Sequence, residues 1–348
     1  MITIADLIRD TVLDTAFAWL CCQRKDWPTS ADVWRFRQRG PHEKALLRQE
    51  LRAGTYPIGL LSRVTLQNGE DVDLWPARDA IIMKALAIVL GQSLPISQHC
   101  THLKGHGGLK GAVRQVLVQL PHAHFVLKTD VQSYYASIDH TLLLDKLAFH
   151  ISDRRVLNLI GQYLWRITAW GGLYWDSRKG ISLGCPLSPI IGAFFLCELD
   201  MQLEKLGLFF VRYMDDILVL APSRWKLRKA IKIVNHVLAS LELQKHPEKT
   251  FIGGVEKGFE FFGYHFQPGK LRVAKKTFEH FVERMRRLYE QEPRSTDRLT
   301  RLGAYVQRWV RWVKAGIISP DSKIDIAFRC YHSLAVRVTL PASSFAQS

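Results

Sequence analysis

Two adjacent acids, Asp215 and Asp216, lie between two short apolar runs, and this pattern points to chemistry more directly than any other in the sequence. The runs at 209–214 and 217–220 are rich in β-branched and aromatic residues, which predicts two buried strands joined by a turn at the acids. Asp is also common in solvated turns. At the end of buried strands, however, paired carboxylates are costly unless a cation joins them. Because hard divalent ions prefer carboxylate oxygens, the pattern predicts a metal site.

A third acid, Asp130, follows another apolar run at 124–129, and Tyr134 and Tyr135 come shortly after it. Tyr213-Met214-Asp215-Asp216 resembles the Y-x-D-D signature of reverse transcriptases, and the segment from Asp130 onward resembles motif A of the same polymerases. The resemblance implies that Asp130, Asp215 and Asp216 are catalytic and bind metal, with the backbone of Val131 as a further ligand. It also implies that the Tyr135 ring lies where a ribose 2′-OH would collide with it, so the pocket should select deoxynucleotides. Ordinary core packing is the alternative for Tyr135.

Three later segments extend the resemblance in the order expected of the family. The run 180–189 resembles motif B, where Gly184 and Ser188 match and would support the nucleotide, although Leu183 stands where the family usually has Gln. The run 246–250 resembles motif D, and it implies that Lys249 is a catalytic residue that protonates the leaving group. The segment at 259–266 resembles the primer grip. The resemblance assigns primer or template contacts to four residues here and at the acidic turn: Tyr213, Phe262, Gly263 and Tyr264.

Upstream of these motifs, the sequence resembles the fingers of reverse transcriptases. Residues 57–74 predict a β-hairpin around Asn68-Gly69, and a long apolar helix should follow at about 78–91. Relatives from group II introns carry Arg-Pro-Leu at the end of this hairpin, where this chain has Asp73-Leu74-Trp75. Arg63 or Arg78 would then contact the incoming triphosphate. The glycine-rich segment 101–114 allows close approach to phosphates, and Lys104 and Lys110 are its candidate template or primer contacts.

Helices are predicted at both ends of the chain. In the first 53 residues, Ser30 is expected to cap a helix that Gly40-Pro41 ends, and a second helix should run from about 42 to 52. Residues 271–318 predict two helices separated near Pro293, with Arg308 and Arg311 interleaved with tryptophans. Cations beside aromatic rings suit a nucleic-acid backbone, so both arginines are predicted to bind primer or template.

Composition favours a polyanionic partner. The 348 residues carry a formal net charge of +16, which favours nucleic acid first and an anionic membrane surface second. The sequence has no apolar run long enough for a membrane span and no signal-peptide pattern at its start. Six cysteines without C-x-x-C spacing fit a reducing compartment rather than a zinc site. We therefore expect a cytoplasmic protein without membrane association.

The chain is identified as a member of the bacterial reverse transcriptases, similar to those of group II introns and retrons. The resemblance implies an α+β right-hand polymerase fold: a helical region at 1–53, fingers at 54–123, an antiparallel-sheet palm at 124–270, and a helical thumb and tail at 271–348. It implies RNA-directed DNA synthesis from dNTPs with two Mg²⁺ ions, or Mn²⁺ in their place, on an RNA template with a DNA primer and product. By analogy, a dedicated noncoding RNA and a role in antiphage defence are expected. The alternatives are a maturase-like RNA-binding module and an unrelated metal-dependent phosphodiesterase.

Overall fold

The computed structural model describes residues 2–66, 69–290 and 296–316, and these form a mixed arrangement of helices and antiparallel sheets. The helices are α1 (Ile4–Leu7), α2 (Asp10–Gln23), α3 (Asp32–Gln38), α4 (Gly40–Ala53), α5 (Ala77–Ser93), α6 (Gly108–Gln119), α7 (Tyr134–Ser137), α8 (His140–Ala148), α9 (Arg154–Leu164), α10 (Ser188–Phe195), α11 (Cys197–Lys205), α12 (Arg224–Ser240), α13 (Lys275–Glu290) and α14 (Thr296–Gly316). The strands are β1 (Leu61–Thr65), β2 (Asp71–Leu74), β3 (Phe125–Thr129), β4 (Ile167–Trp170), β5 (Leu173–Asp176), β6 (Phe209–Tyr213), β7 (Asp216–Ala221), β8 (Phe251–Gly254), β9 (Phe259–Phe261), β10 (Tyr264–Gln267) and β11 (Lys270–Val273). Within the described ranges, no helix has both the length and the apolar character needed to cross a membrane.

The central sheet has the strand order β6-β7-β3-β8 with every pair antiparallel. Its two faces are both buried. Ile217 and Val219 of β7 face the large core that includes the N-terminal helices, while Leu218 and Leu220 face a second core with α6 and the strands β9–β11. Burial on both sides explains the continuous apolar run in β7, since neither face needs polar residues.

The hairpin sheet has the order β2-β1-β4-β5, in which β1 and β4 are parallel and the other pairs are antiparallel. The hairpin predicted at 57–74 is present as β1 and β2, although residues 67–68 of its turn lie outside the described ranges. Strands β4 and β5 fall within 124–270, which we expected to form the palm. In the structure β4 pairs with β1, within the range expected for the fingers, and β5 pairs with β4. The sequence did not predict this pairing, because a contact between strands distant in sequence leaves no local signal.

The N-terminal helices pack against α5, whose buried residues occupy almost every face. Ser30 does not cap α3, which begins at Asp32 after Ala31 and has no side-chain cap. Helix α3 ends at Gln38, just before Gly40-Pro41, as expected. The same two residues open α4, which is compatible with proline in the first turn, where the missing N–H has no helical partner. The predicted helix break was therefore correct, and the predicted Ser30 cap was wrong.

A small sheet of β9, β10 and β11 lies between the central sheet and the last two helices. Helices α13 and α14 pack against each other, with Phe281 stacked on Trp309 at 4.0 Å between ring centroids. Helix α14 also packs against α6, which fixes the helical pair to the rest of the chain. The expected break near Pro293 and the tail from 317 onward lie outside the described residues.

Candidate active site

Three aspartates meet at one edge of the central sheet. Strands β6 and β7 pair so that Met214 and Asp215 form their two-residue turn, and Asp216 opens β7. Strand β3 runs beside β7 and ends one residue before Asp130, so this side chain reaches the same edge. The two motifs that were recognised separately in the sequence therefore form one carboxylate cluster.

Burial and mutual repulsion perturb this cluster. Burial, and after it the neighbouring carboxyl of Asp130, raise the pKa of Asp215 to about 6 against an opposing backbone hydrogen bond. For Asp216, burial followed by the charges of Asp130 and Asp215 raises the pKa to about 7. Like charges held together away from water favour the protonated forms until a cation compensates them.

One cation of the protein already contacts this cluster. The Lys249 ammonium donates to Asp130 Oδ2 at 2.6 Å, and the hydrogen bond raises the pKa of Lys249. The Lys249 side chain remains 57% exposed, whereas that of Asp130 is only 6% exposed. The backbone N–H of His246 donates to the Asp130 carbonyl at 2.7 Å, which ties the motif D segment to the end of β3.

The cluster fits a divalent ion by its donor chemistry. In the described part of the chain, no group of three or more His, Cys, Asp and Glu side chains is already arranged to hold a metal ion. Mg²⁺ does not need such a cage, because it is commonly bound by one or two carboxylates together with water and substrate phosphates. Asp130 and Asp215 could supply these carboxylates. The Gln132 N–H and the Asp130 carbonyl both bond to 244–246, so by alternation the Val131 carbonyl points to the opposite side, where β7 lies.

A cleft of about 1020 Å³ opens beside the carboxylates. Asp215 and Met214 form one wall, and the half-buried ring of Tyr135 lines it, with its hydroxyl 3.1 Å from Met214 Sδ. Burial raises the pKa of the Tyr135 hydroxyl, so this residue is neutral at ordinary pH. The ring is thus a bulky neutral surface next to the carboxylates, and its role in sugar selection stays a prediction.

Asp73 organises the opposite wall. Its carboxylate accepts hydrogen bonds from Arg63 Nε at 2.9 Å and from Arg166 Nε at 3.2 Å. Arg63 lies opposite Asp73 in the same hairpin, whereas Arg166 directly precedes β4. The Ser182 hydroxyl donates to the same carboxylate at 2.9 Å. Asp73 therefore holds two arginines at the cleft. Sequence reasoning missed Arg166, because a single arginine between a helix and a strand carries no motif.

Arg78 does not line this cleft. Its guanidinium pairs with Glu43 and Glu50 of α4 and lies over the Tyr56 ring. Its charge is thereby committed to joining α4 and α5. Of the two arginines considered for the triphosphate, the structure favours Arg63, whose side chain is 30% exposed and lines the cleft.

The motif B loop packs directly under the hairpin sheet. Gly184 has φ +93°, and a Cβ there would meet Val72 Cγ1 at 2.6 Å, so only glycine fits. Ser188 is fully buried, and its hydroxyl bonds to the Ser182 carbonyl and to the Tyr163 hydroxyl. Our assignment of Ser188 to nucleotide contact does not match this position, because its polar group is used inside the loop. Ser188 supports the loop from beneath.

Two side chains hold the turn that carries Asp215. Met214 adopts φ +59°, a left-handed conformation that is unfavourable for a residue with a side chain. Its N–H donates to His102 Nδ1 at 3.1 Å, and its carbonyl accepts from Arg212 at 2.7 Å. Arg212 is fully buried and paired with Asp200. Both backbone groups of the strained residue are thus fixed.

His102 also connects this turn to motif B. Its Nε2 lies 3.0 Å from the Pro189 carbonyl, so Nε2 carries the proton and Nδ1 accepts from Met214. Burial lowers the pKa of His102 to about 4, which keeps it neutral in this tautomer. Sequence reasoning passed over His102 in favour of the lysines around it.

The predicted primer grip lies next to the catalytic turn. The Phe262 ring contacts the Tyr213 ring edge-on, with centroids 5.3 Å apart. Gly263 has φ +80°, and a Cβ there would meet the Trp312 ring at 2.7 Å. Tyr264 is completely buried and stacks on Trp312. Phe262 and Tyr213 remain accessible, whereas Tyr264 anchors α14 and offers no surface to a primer.

The predicted nucleic-acid lysines and arginines differ in their surroundings. Lys110 donates to the Tyr264 hydroxyl at 2.6 Å and lies 3.6 Å from the centre of the Trp312 ring, and burial lowers its pKa to about 8. It therefore binds α6 to the last helix rather than pointing freely to solvent. Lys104, Arg308 and Arg311 are exposed, as a phosphate contact requires.

The carboxylate cluster, the neutral aromatic wall and the arginine wall surround one cleft on a right-hand polymerase fold. Residues 80–266, more than half of the chain, match the family model described as reverse transcriptase (RNA-dependent DNA polymerase). The chain belongs to this family, and its class of enzyme is an RNA-directed DNA polymerase, a nucleotidyltransferase. The expected α+β fold is confirmed.

Individual proteins and solved structures are similar to parts of this chain. The chain is 25% identical over 290 residues to Protein YkfC of Escherichia coli K12, covering 67% of this chain and 74% of that protein. It is 23% identical over 201 residues to the group II intron-encoded protein LtrA of Lactococcus lactis subsp. cremoris, covering 56% of this chain but only 33% of LtrA. A chain of a partial Cas6-RT-Cas1–Cas2 complex is 20% identical with a TM-score of 0.41, covering 68% of this chain and 42% of that one.

Proposed function

We propose that this protein copies RNA into DNA by adding deoxynucleotides to a DNA primer, at the cleft between the carboxylate cluster and the hairpin sheet. The observation that carries the proposal is the placement of Asp215, Tyr135 and Arg63 around one cleft. These groups offer a metal site, a surface against the sugar and a cation for phosphate. A protein that only binds RNA would not need these three groups around one cleft.

Asp130 and Asp215 are proposed to hold Mg²⁺, with the Val131 carbonyl as a further ligand and Asp216 shaping the site. Two bound Mg²⁺ ions would supply activation of the primer hydroxyl and neutralisation of the leaving pyrophosphate. Mn²⁺ suits the same oxygen donors. The desolvated carboxylates favour such ions, because charge compensation relieves their repulsion.

Side chains around the cluster are proposed to position the nucleotide. Arg63, aligned by Asp73, contacts the triphosphate, and the Tyr135 ring excludes a ribose 2′-OH by steric overlap. Gly184 lets the motif B loop lie close beneath the base pair. Lys249 is protonated in its pair with Asp130, and once freed from that pair it would give its proton to the leaving group.

The primer and the duplex are proposed to lie over the aromatic side of the turn. Tyr213 and Phe262 face the primer end, and Arg308 and Arg311 of α14 face the duplex backbone, with Lys104 near the template. We assign the fingers to 54–123 together with β4 and β5, the palm to the rest of 124–270, and the thumb to 271–316. A dedicated noncoding RNA and a role in antiphage defence are finer hypotheses. Sequencing the RNA and DNA that copurify with the protein tests them.

Primer extension tests the polymerase proposal directly. The wild-type protein should extend a DNA primer on an RNA template with dNTPs and Mg²⁺. Asp215→Asn should lower the rate by at least ~10³-fold, because a carboxylate ligand at the reacting centre is lost. Asp145→Asn on the exposed face of α8 is the matched control and should extend normally. RNA binding without extension by the wild-type protein would indicate a maturase-like module instead.

A further inference from the structure

One face of the hairpin sheet looks into the catalytic cleft, and its outer strands carry two tryptophans. In the strand register, Thr168 lies opposite Trp175 and Trp170 lies opposite Leu173, so these four side chains share one face. The cleft lining includes Thr168, Trp170 and Trp175, which identifies that face as the one directed inward. Arg63 of β1 lines the same cleft.

The two tryptophan rings are largely exposed although they line a cleft. Trp170 is 43% exposed and Trp175 is 52% exposed, and neither ring stacks on another aromatic ring of the described residues. Every residue of β5 is exposed, because β5 is an outer strand of the sheet. Large exposed aromatic side chains in one place indicate a surface that a partner covers.

Cations lie beside this aromatic face. Arg178 and Lys179 follow β5 after Ser177, are exposed and line the same cleft. Lys179 also lies 3.8 Å from the exposed carboxylate of Glu242. Rings that stack on bases, together with cations that follow a phosphate backbone, are the two features of surfaces that bind single-stranded nucleic acid. A protein partner would explain the exposed rings. It would not explain the neighbouring cations or why the aromatic face lines the same cleft as Asp215.

The position of the face selects one strand among the nucleic acids in the site. From the catalytic turn, Tyr213 leads by ring contact to Phe262, and the adjoining Gly263 packs on Trp312 of α14. This is the side proposed for the primer and duplex. The cleft leads from Asp215 and Tyr135 the other way, to the hairpin sheet. The strand leaving in that direction has not yet been copied and is unpaired.

We propose that Trp170 and Trp175 form a stacking surface for unpaired template RNA just ahead of the incoming nucleotide, with Arg178 and Lys179 contacting its phosphates. The proposal rests on the proposed polymerase function, since it uses the direction of copying. The ligand proposed for the hairpin of β4 and β5 is therefore single-stranded RNA. Stacking tolerates any base, so the surface would hold the template without selecting its sequence.

The test compares two RNA templates annealed to one DNA primer: one ends at the templating base and the other continues as a long unpaired 5′ extension. Binding is measured by fluorescence anisotropy without dNTPs, and extension is measured separately. Trp175→Ala and Trp170→Ala should each weaken binding of the extended template about tenfold and leave the short one unchanged. Trp175→Phe should restore most of the affinity, because it keeps an aromatic face.

Tyr174→Ala is the matched control. Tyr174 is the neighbour of Trp175 on the same strand, is 72% exposed and lies on the opposite face of the sheet. It should leave both templates unaffected. An equal loss on both templates, an equal loss in Tyr174→Ala, or no loss in either tryptophan variant would overturn the proposal. Tight binding of the extended template without extension would refute the polymerase function and leave the stacking surface standing.

Discussion

The acidic residues that could bind a metal ion also destabilise the folded protein when they are ionised and no cation is bound. Asp216 is held at a raised pKa by burial and by two neighbouring acids, so the folded protein binds its proton more tightly than the unfolded chain. Stability from this group is therefore fully present below the unfolded value of 3.8 and is lost as pH rises toward about 7. Above that range the ionised group opposes folding unless a cation is bound.

Removing that charge should stabilise the metal-free protein. In EDTA, Asp216→Asn should raise the free energy of unfolding by about 1 kcal/mol at pH 8, a value below the full shift because the group is partly exposed to water. At a pH near 4 the difference should vanish. Urea unfolding at both pH values measures it, with the exposed Asp26→Asn as control. A variant less stable than wild type at pH 8 would show that Asp216 is not under electrostatic strain.

At the residue scale, the sequence predicted those site residues that lie within a recognisable local motif. Asp130 and Asp215 were recognisable because apolar strands and aromatic residues surround each of them at fixed spacing. His102 and Arg166 were not. Their partners, Met214 and Asp73, come from segments about a hundred residues away, so only the folded chain brings each pair together.

At the scale of elements, the turn between β6 and β7 depends on a second segment for its shape. His102 accepts from the Met214 N–H and donates to the Pro189 carbonyl, which joins the catalytic turn to the start of α10. Because Met214 has a positive φ, its backbone needs support from outside the hairpin. The position of Asp215 therefore depends on the element that carries His102.

Two substitutions separate these bonds. His102→Asn keeps an acceptor near the Nδ1 position, whereas His102→Gln keeps a donor near Nε2 and loses the Met214 contact. We expect His102→Gln to lower kcat about tenfold or more, since an unsatisfied buried N–H costs ~1–3 kcal/mol. His102→Asn should retain more of the activity. Single-turnover kinetics with Mg²⁺ titration measures both, while the KM for dNTP should change little. Equal kcat in the two variants would assign His102 to packing alone.

Strand and helix positions could largely be predicted, but sheet partners could not. The hairpin of β1 and β2, the strands beside the acids and the long apolar helix after the hairpin follow from local patterns. The pairing of β4 with β1 joins residues about a hundred positions apart in sequence. Its consequence, a sheet face of tryptophans in the cleft, was therefore invisible in the sequence.

Across the whole molecule, the basic net charge and the cleft beside the carboxylates suit a nucleic-acid partner. The formal net charge of +16 favours a polyanion, and the cleft passes from the hairpin sheet to the carboxylates. Helix α14 is fixed to α6 through Lys110 and Trp312, beside the side of the turn that we propose for the primer. The order of motifs predicted a helical thumb in this region, which stays a prediction, whereas the anchoring contacts needed the structure.

Sugar selection tests the central claim that this site copies RNA into DNA. The measurement is kcat/KM for dGTP and for rGTP on one RNA template, with wild type, Tyr135→Val and Tyr135→Phe compared. We expect wild type to prefer dGTP, and Tyr135→Val to lose at least tenfold of that preference, which is about 1.4 kcal/mol between the two transition states. Tyr135→Phe keeps the ring and should retain the preference. A wild-type enzyme that prefers rGTP, or an unchanged ratio in Tyr135→Val, would contradict the account.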